Sequence, residues 1–151
     1  MNTEQNIQKL GLILPPSPKA IGSYLSVRQV GSLIFLSAVL PRDEKGVRFT
    51  GKVGRDLNVK QGQEAARLCA LNIVSLIKEV VGFDRVKQFV RMTGFVQSDP
   101  GFSEQHLVMN GASDLFVQVF EEKGKHVRSA VGVASLPLNA AVEIDVILEI
   151  E

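Results

Sequence analysis

Hydrophobic positions in this chain follow two rhythms. Between Val59 and Val81, the residues Ala66, Cys69, Ala70, Ile73, Ile77, Val80 and Val81 recur at helical spacing, which predicts a long helix with one apolar face. Asn58, with Gln61 three residues on, resembles a capping box, and Gly82 ends the run. Near the C-terminus the period falls to two. Val142, Ile144, Val146, Leu148 and Ile150 alternate with Glu143, Asp145, Ile147, Glu149 and Glu151, predicting a strand with one apolar and one acidic face. A second alternating segment, residues 127–133, precedes the turn Leu136-Pro137-Leu138-Asn139, so the two segments read as a β-hairpin. Parity then turns Val127, Val131 and Val133 inward. Arg128, Ala130 and Gly132 face outward, on the face that carries Glu143 and Asp145.

The remaining elements complete a pattern. Thr3 caps a short helix over Glu4 to Leu10, stopped by Gly11, and a proline-rich extended lead-in continues to about residue 21. Tyr24 to Val30 and Leu33 to Val39 form two strands around a Gly31-Ser32 hairpin turn. Residues 40–57 are polar and glycine-containing, a loop with at most a short strand. Val86 to Gln97 is strand-like and closes at Ser98-Asp99-Pro100-Gly101. A second helix covers residues 104–122, with Leu107, Leu115, Phe116, Val119 and Phe120 inward and Gly111 weakening its middle. The order ββ-α-β-α-ββ predicts an α+β fold, a mixed sheet with two helices on one face. The other face is charged, and Ala130 and Gly132 leave a notch in it. A mixed face of this kind suits a subunit interface, with a pocket built between chains.

Composition narrows the function classes. A length of 151 residues fits a single domain over 1–151 with a sufficient core. The net charge is +1 with the basic residues scattered, so no electrostatic footprint for nucleic acid or an anionic membrane is visible. The polar first residues do not match a signal peptide, and no apolar run approaches the roughly 20 residues of a membrane span. One cysteine excludes an internal disulfide and agrees with a reducing, cytoplasmic setting.

Candidate chemistry centres on Arg128 and the carboxylates downstream. A guanidinium fork can clamp a small carboxylate, and a nearby Glu143 can orient a water. Arg128 can equally be an interface ion-pair partner, and Glu143 a solvated strand residue. Tyr24 reads as half-buried packing or as a pocket wall. The Ser37 hydroxyl requires a partner, structural or ligand, and Asn110 lies on a helix surface. Cys69 falls on an apolar face and belongs to the core. His106 and His126 lack the companions of a metal site, no Gly-x-Ser-x-Gly elbow occurs, and Gly51-Lys52-Val53-Gly54 reads as turn glycines.

From Gly22 to Ile150 the chain resembles the reactive intermediate deaminase family (RidA, also YjgF). The resemblance rests on Gly22-Ser23-Tyr24, Ile34-Phe35-Leu36-Ser37, the helix containing Gln61, Asn110, Arg128-Ser129, Leu136-Pro137 and Val142-Glu143-Ile144. The segment from Val131 to Asn139 is similar to a longer subgroup often labelled endoribonuclease. The resemblance implies a chorismate-mutase-like fold, a homotrimer with clefts between subunits, and hydrolysis of enamines or imines to a 2-keto acid and ammonia. Neither metal nor organic cofactor is implied. In that frame Arg128 binds the substrate carboxylate and Glu143 helps position water, while Tyr24, Ser37 and Asn110 match other pocket positions. Ala130 stands where the family often has Cys or Thr, and Ser113 where it has an aromatic residue. Ser23, Ala38, Val39 and the pair His126-Val127 also depart from the family pattern. Three functions follow in order: an imine/enamine deaminase, a non-catalytic trimeric carboxylate-binding or regulatory protein, and a ribonuclease. The last ranks lowest because a near-neutral chain offers no basic groove.

Overall fold

Capping boxes start two of the helices. Asn58 Oδ1 accepts from the Gln61 N–H at 2.8 Å, while Gln61 Oε1 accepts from the Asn58 N–H at 2.9 Å. Asn2 and Gln5 repeat the arrangement one residue ahead of the expected Thr3 cap, since Asn2 can exchange both bonds with a glutamine three residues on. The computed structural model describes residues 1–20 and 22–151; Ile21, the expected end of the lead-in, lies outside the described residues. In chain order the elements are α1 (Thr3–Lys9), β1 (Val27–Val30), β2 (Leu33–Leu36), β3 (Arg42–Asp43), β4 (Gly46–Val47), α2 (Val59–Val80), β5 (Val86–Gln97), α3 (Gln105–Phe120), β6 (Val127–Val133) and β7 (Val142–Ile150).

The first two strands are shorter than their apolar pattern suggested. Gly31-Ser32 makes the expected tight turn, with Val30 opposite Leu33, but pairing stops at Val27 and Leu36. Beyond Leu36 the chain next touches the sheet where Val39 bridges Ile144. Residues 42–47 form a two-stranded ribbon of their own. Helix α3 ends at Phe120, two residues early, and its last turn tightens into a 3₁₀ turn at Glu121–Gly124.

The expected C-terminal hairpin does not form. The sheet order is β1-β2-β7-β5-β6, so β5 lies between β6 and β7. β5 pairs antiparallel with β7 and parallel with β6. Parallel neighbours cannot be joined by a tight turn, and α3 is the crossover that carries the chain from the end of β5 back to the start of β6. The segment 134–141 then passes the end of β5 to reach β7. Gln97, at that end, fastens the passage by accepting from the Leu136 N–H at 2.7 Å and donating to Asn139 Oδ1 at 2.8 Å.

This pairing reverses the expected parity of β6. Arg128 registers with Met92 and Ala130 with Gly94, and across β5 those positions register with Val146 and Ile144. Met92, Val146 and Ile144 are buried under the helices. Arg128, Ala130 and Gly132 therefore face α3, while Val127, Ser129 and Val131 join Glu143 and Asp145 on the opposite, open face. On β7 the alternation holds as expected: Val142, Ile144, Val146, Leu148 and Ile150 are all buried.

The core lies between the sheet and the layer of α2 and α3, where Ile73, Ile77, Phe116 and Leu148 are fully covered. Gly111 is there for a close approach, because a Cβ would collide with the Gln63 carbonyl of α2. Cys69 belongs to this core, and burial pushes its thiol well above the ordinary range. Among the described residues no helix is long and apolar enough to cross a membrane.

Candidate active site at two sheet edges and one sheet face

Arg128 projects from β6, the last strand of the sheet, toward α3. Its Nη1 donates to Ser113 Oγ at 3.1 Å and its Nη2 to the His106 carbonyl at 3.1 Å. His106, Asn110 and Ser113 follow one another at helical spacing, so Asn110 occupies the same face of α3 between the two points that grip the guanidinium. Ala130 stands two residues along on the same side of β6, opposite Gly94, whose missing side chain lets Met109 of α3 approach the sheet. Arg128, Asn110 and Ala130 are thus brought together.

Behind Arg128 stands His126. Its Nδ1 lies 2.7 Å from the Gly124 carbonyl, which can only accept, so Nδ1 carries the proton. Nε2 is then an acceptor in the neutral ring and receives the Ser113 hydroxyl at 2.9 Å. Burial against Phe89 and Phe116 pulls the imidazole below its ordinary value, and the neighbouring Arg128 charge acts in the same direction; the Gly124 bond opposes both. Sequence reading named Ser113 and His126 as departures from the family pattern and gave them no contact with Arg128. The usable signal was the spacing of His106, Asn110 and Ser113, which only the β5–α3–β6 crossover connects to Arg128.

Tyr24 and Ser37 lie at the other side of the sheet, in a cleft of about 280 Å³ lined also by Lys19, Ala38, Val39 and Arg42. Ser37 Oγ donates to the Leu25 carbonyl at 2.5 Å and its N–H to the Ser26 carbonyl at 2.9 Å, which fixes the segment bearing Tyr24 across the end of β2. β7 and β5 separate β2 from β6, three strand spacings or ~14 Å.

Glu143 occupies a third place, half-buried on the open face opposite Phe95. Burial raises its carboxyl above the ordinary range and the Asp145 charge raises it further. Asp145 is raised by burial too, against the pull of Arg91 and a hydrogen bond from Thr93. Arg91 also donates to Ser129 Oγ at 2.7 Å, so this face carries a polar strip between the apolar side chains Phe35, Val127 and Val131. Within the chain Arg128 and Glu143 are on opposite faces of the sheet and do not meet. Among the described residues no group of three or more His, Cys, Asp or Glu side chains converges as a metal site.

Known proteins share this arrangement of elements. Residues 4–150 match the family model described as "YjgF/chorismate_mutase-like, putative endoribonuclease". The protein TCP17 of Trypanosoma cruzi is 46% identical over 147 residues, covering 96% of this chain and 92% of TCP17. The 2-iminobutanoate/2-iminopropanoate deaminase of Salmonella typhimurium is 31% identical over 133 residues, covering 87% of this chain and 90% of the deaminase. A solved structure from Shewanella oneidensis, named a "putative endoribonuclease", superposes with a TM-score of 0.95 at 30% identity and 99% coverage of both chains. The sheet order, the two covering helices and these matches agree, and the chain belongs to the YjgF/RidA family with its chorismate-mutase-like fold.

Proposed function

We propose that the protein hydrolyses reactive 2-imino or 2-enamino acids to 2-keto acids and ammonia, in pockets formed between the copies of a homotrimer. The observation that carries this reading is the guanidinium of Arg128, held at the edge of the sheet by Ser113 and the His106 carbonyl. A fork fixed in this way retains further N–H donors for a substrate carboxylate, and its two anchors reduce the freedom lost on binding. The similarity to a Salmonella 2-iminobutanoate/2-iminopropanoate deaminase gives the carboxylate its chemical context.

The reaction requires little beyond placement. An enamine first takes a proton at its β-carbon and becomes the imine. Water then adds through its oxygen to the imine carbon while nitrogen gains a proton. As the C–N bond breaks, the hydroxyl proton leaves with the departing ammonia, giving the keto acid. Glu143 supports this role because its raised carboxyl is a stronger base when ionised and a ready acid when protonated. Tyr24, Ser37, Asn110 and Ala130 complete the pocket walls. One chain cannot supply them together, given two sheet edges and opposite faces, so a neighbouring copy is part of the proposal. The uncovered polar and apolar open face offers the surface for such a neighbour. No metal or organic cofactor is invoked, and the single buried Cys69 is compatible with a cytoplasmic setting.

The test generates imines in place by oxidising a panel of amino acids and follows ammonia and keto-acid release. The wild type should accelerate release, and Arg128→Ala should lose at least ~10-fold of that effect, the value of a charged hydrogen bond. Binding of small carboxylates without turnover would instead make this a binding protein. Degradation of RNA by the purified chain, abolished by a substitution in it, would favour the endoribonuclease reading.

A further inference from the structure

The side chains behind Arg128 form a directed relay. The Gly124 carbonyl accepts from His126 Nδ1–H, His126 Nε2 accepts from the Ser113 hydroxyl, and Ser113 Oγ accepts from Arg128 Nη1. Each donor is fixed by the one before it. A carbonyl oxygen leaves Nδ1 no choice but to donate, and a neutral ring then leaves Nε2 no choice but to accept. The Ser113 proton is thereby turned away from Arg128, and its lone pairs face the guanidinium.

The surroundings of His126 keep that polarity. β5 presents the ring of Phe89, α3 the ring of Phe116 and the Ser113 hydroxyl, and the preceding turn the Gly124 carbonyl. Arg128, two residues on in β6, is the charged group that acts on the imidazole. The turn itself has no slack, because a Cβ at Gly124 would collide with the Phe116 carbonyl. The Gly124 acceptor is thus held in place by backbone packing.

We infer that His126 and Ser113 are positioning residues that orient Arg128 for a carboxylate-bearing ligand, acting as one unit. This rests on the proposed role of Arg128, and one of its tests is independent of activity. His126→Phe keeps a ring between Phe89 and Phe116 but removes the acceptor, and Ser113→Ala removes the link. Each should raise KM for an imino acid about tenfold with kcat within about twofold, and the double variant should be no worse than either alone. His126→Gln, whose amide oxygen can accept from Ser113, should restore KM to within about twofold to threefold of the wild type.

The second readout is nuclear magnetic resonance of the side chains. The wild-type imidazole should show its proton on Nδ1, and the Arg128 side-chain N–H signals should be sharp and slow to exchange. In His126→Phe and Ser113→Ala those arginine signals should broaden or exchange rapidly. Arginine signals that remain unchanged in both variants would overturn the inference, whatever the activity. Effects of the two substitutions on KM that simply multiply would overturn it as well. A wild type that turns over no imine, yet whose Arg128 signals respond as described, would sink the deaminase reading and leave the relay standing.

Discussion

Burial and Asp145 together lift the Glu143 carboxyl above its ordinary value, so ionising this side chain costs more in the folded chain than in the unfolded one. A raised folded value means that the carboxyl's contribution to stability is fully present below its unfolded value and is lost as pH rises through the folded one. Glu143→Gln keeps the neutral state at every pH. It should therefore stabilise the protein near pH 7 by on the order of 0.5 kcal/mol, a value discounted because the residue is only half-buried, and give no gain once the pH falls below the carboxylate range. Thermal unfolding of both forms across pH 4 to 8 checks this. The same substitution should remove imine turnover, so stability and activity should move in opposite directions. A loss of stability at neutral pH would show that Glu143 is held by a favourable partner. Neither effect was legible in the sequence, where Glu143 is one acidic residue in an alternating strand. Its raised carboxyl depends on how deeply the sheet face is covered.

At the level of elements, local chemistry predicted well wherever the determinant is local. The capping box of Asn58 and Gln61 marks the start of α2, the turn at Gly31-Ser32 is correct, and β5 begins and ends where its apolar pattern does. Asn58→Ala removes one side of that box and should cost about 1 kcal/mol, seen as a lower urea midpoint with an unchanged slope. Gly111 shows the opposite case. In a helix pattern it reads as a weak point, but the structure makes it the place where α3 comes closest to the Gln63 backbone. Gly111→Ala, which raises helix propensity, should nonetheless destabilise by about 1–3 kcal/mol through overpacking. An unchanged or higher midpoint would mean that the helices can separate without loss. The hairpin expected between β6 and β7 failed for a non-local reason. The turn motif between two alternating segments favours a hairpin, but the crossover helix before them brings β6 back parallel to β5 instead. The register with β5, Arg128 beside the buried Met92 and Ala130 beside Gly94, turns every side chain of β6 to the face opposite the expected one.

At the scale of the molecule, that exchange of faces changes what the site requires. The residues expected to act together were identifiable by their resemblance to the family, and the structure brings Arg128, Asn110 and Ala130 into one neighbourhood. Tyr24 and Ser37 lie at the far side of the sheet and Glu143 on its other face. The observed strand pairing fixes both the spacing and the side, so a single chain does not close those gaps. The sequence pattern hinted at a shared pocket through the mixed open face but placed Arg128 on it. The account therefore depends on one copy supplying Arg128 and another supplying Glu143. The direct test mixes two inactive variants, Arg128→Ala and Glu143→Gln, under conditions that exchange subunits, and measures imine hydrolysis. With equal amounts and random assembly into closed rings, about a quarter of the interfaces should carry both native residues, so the mixture should recover about a quarter of wild-type activity. A mixture that exchanges subunits and stays as inactive as its components would contradict a site shared between copies.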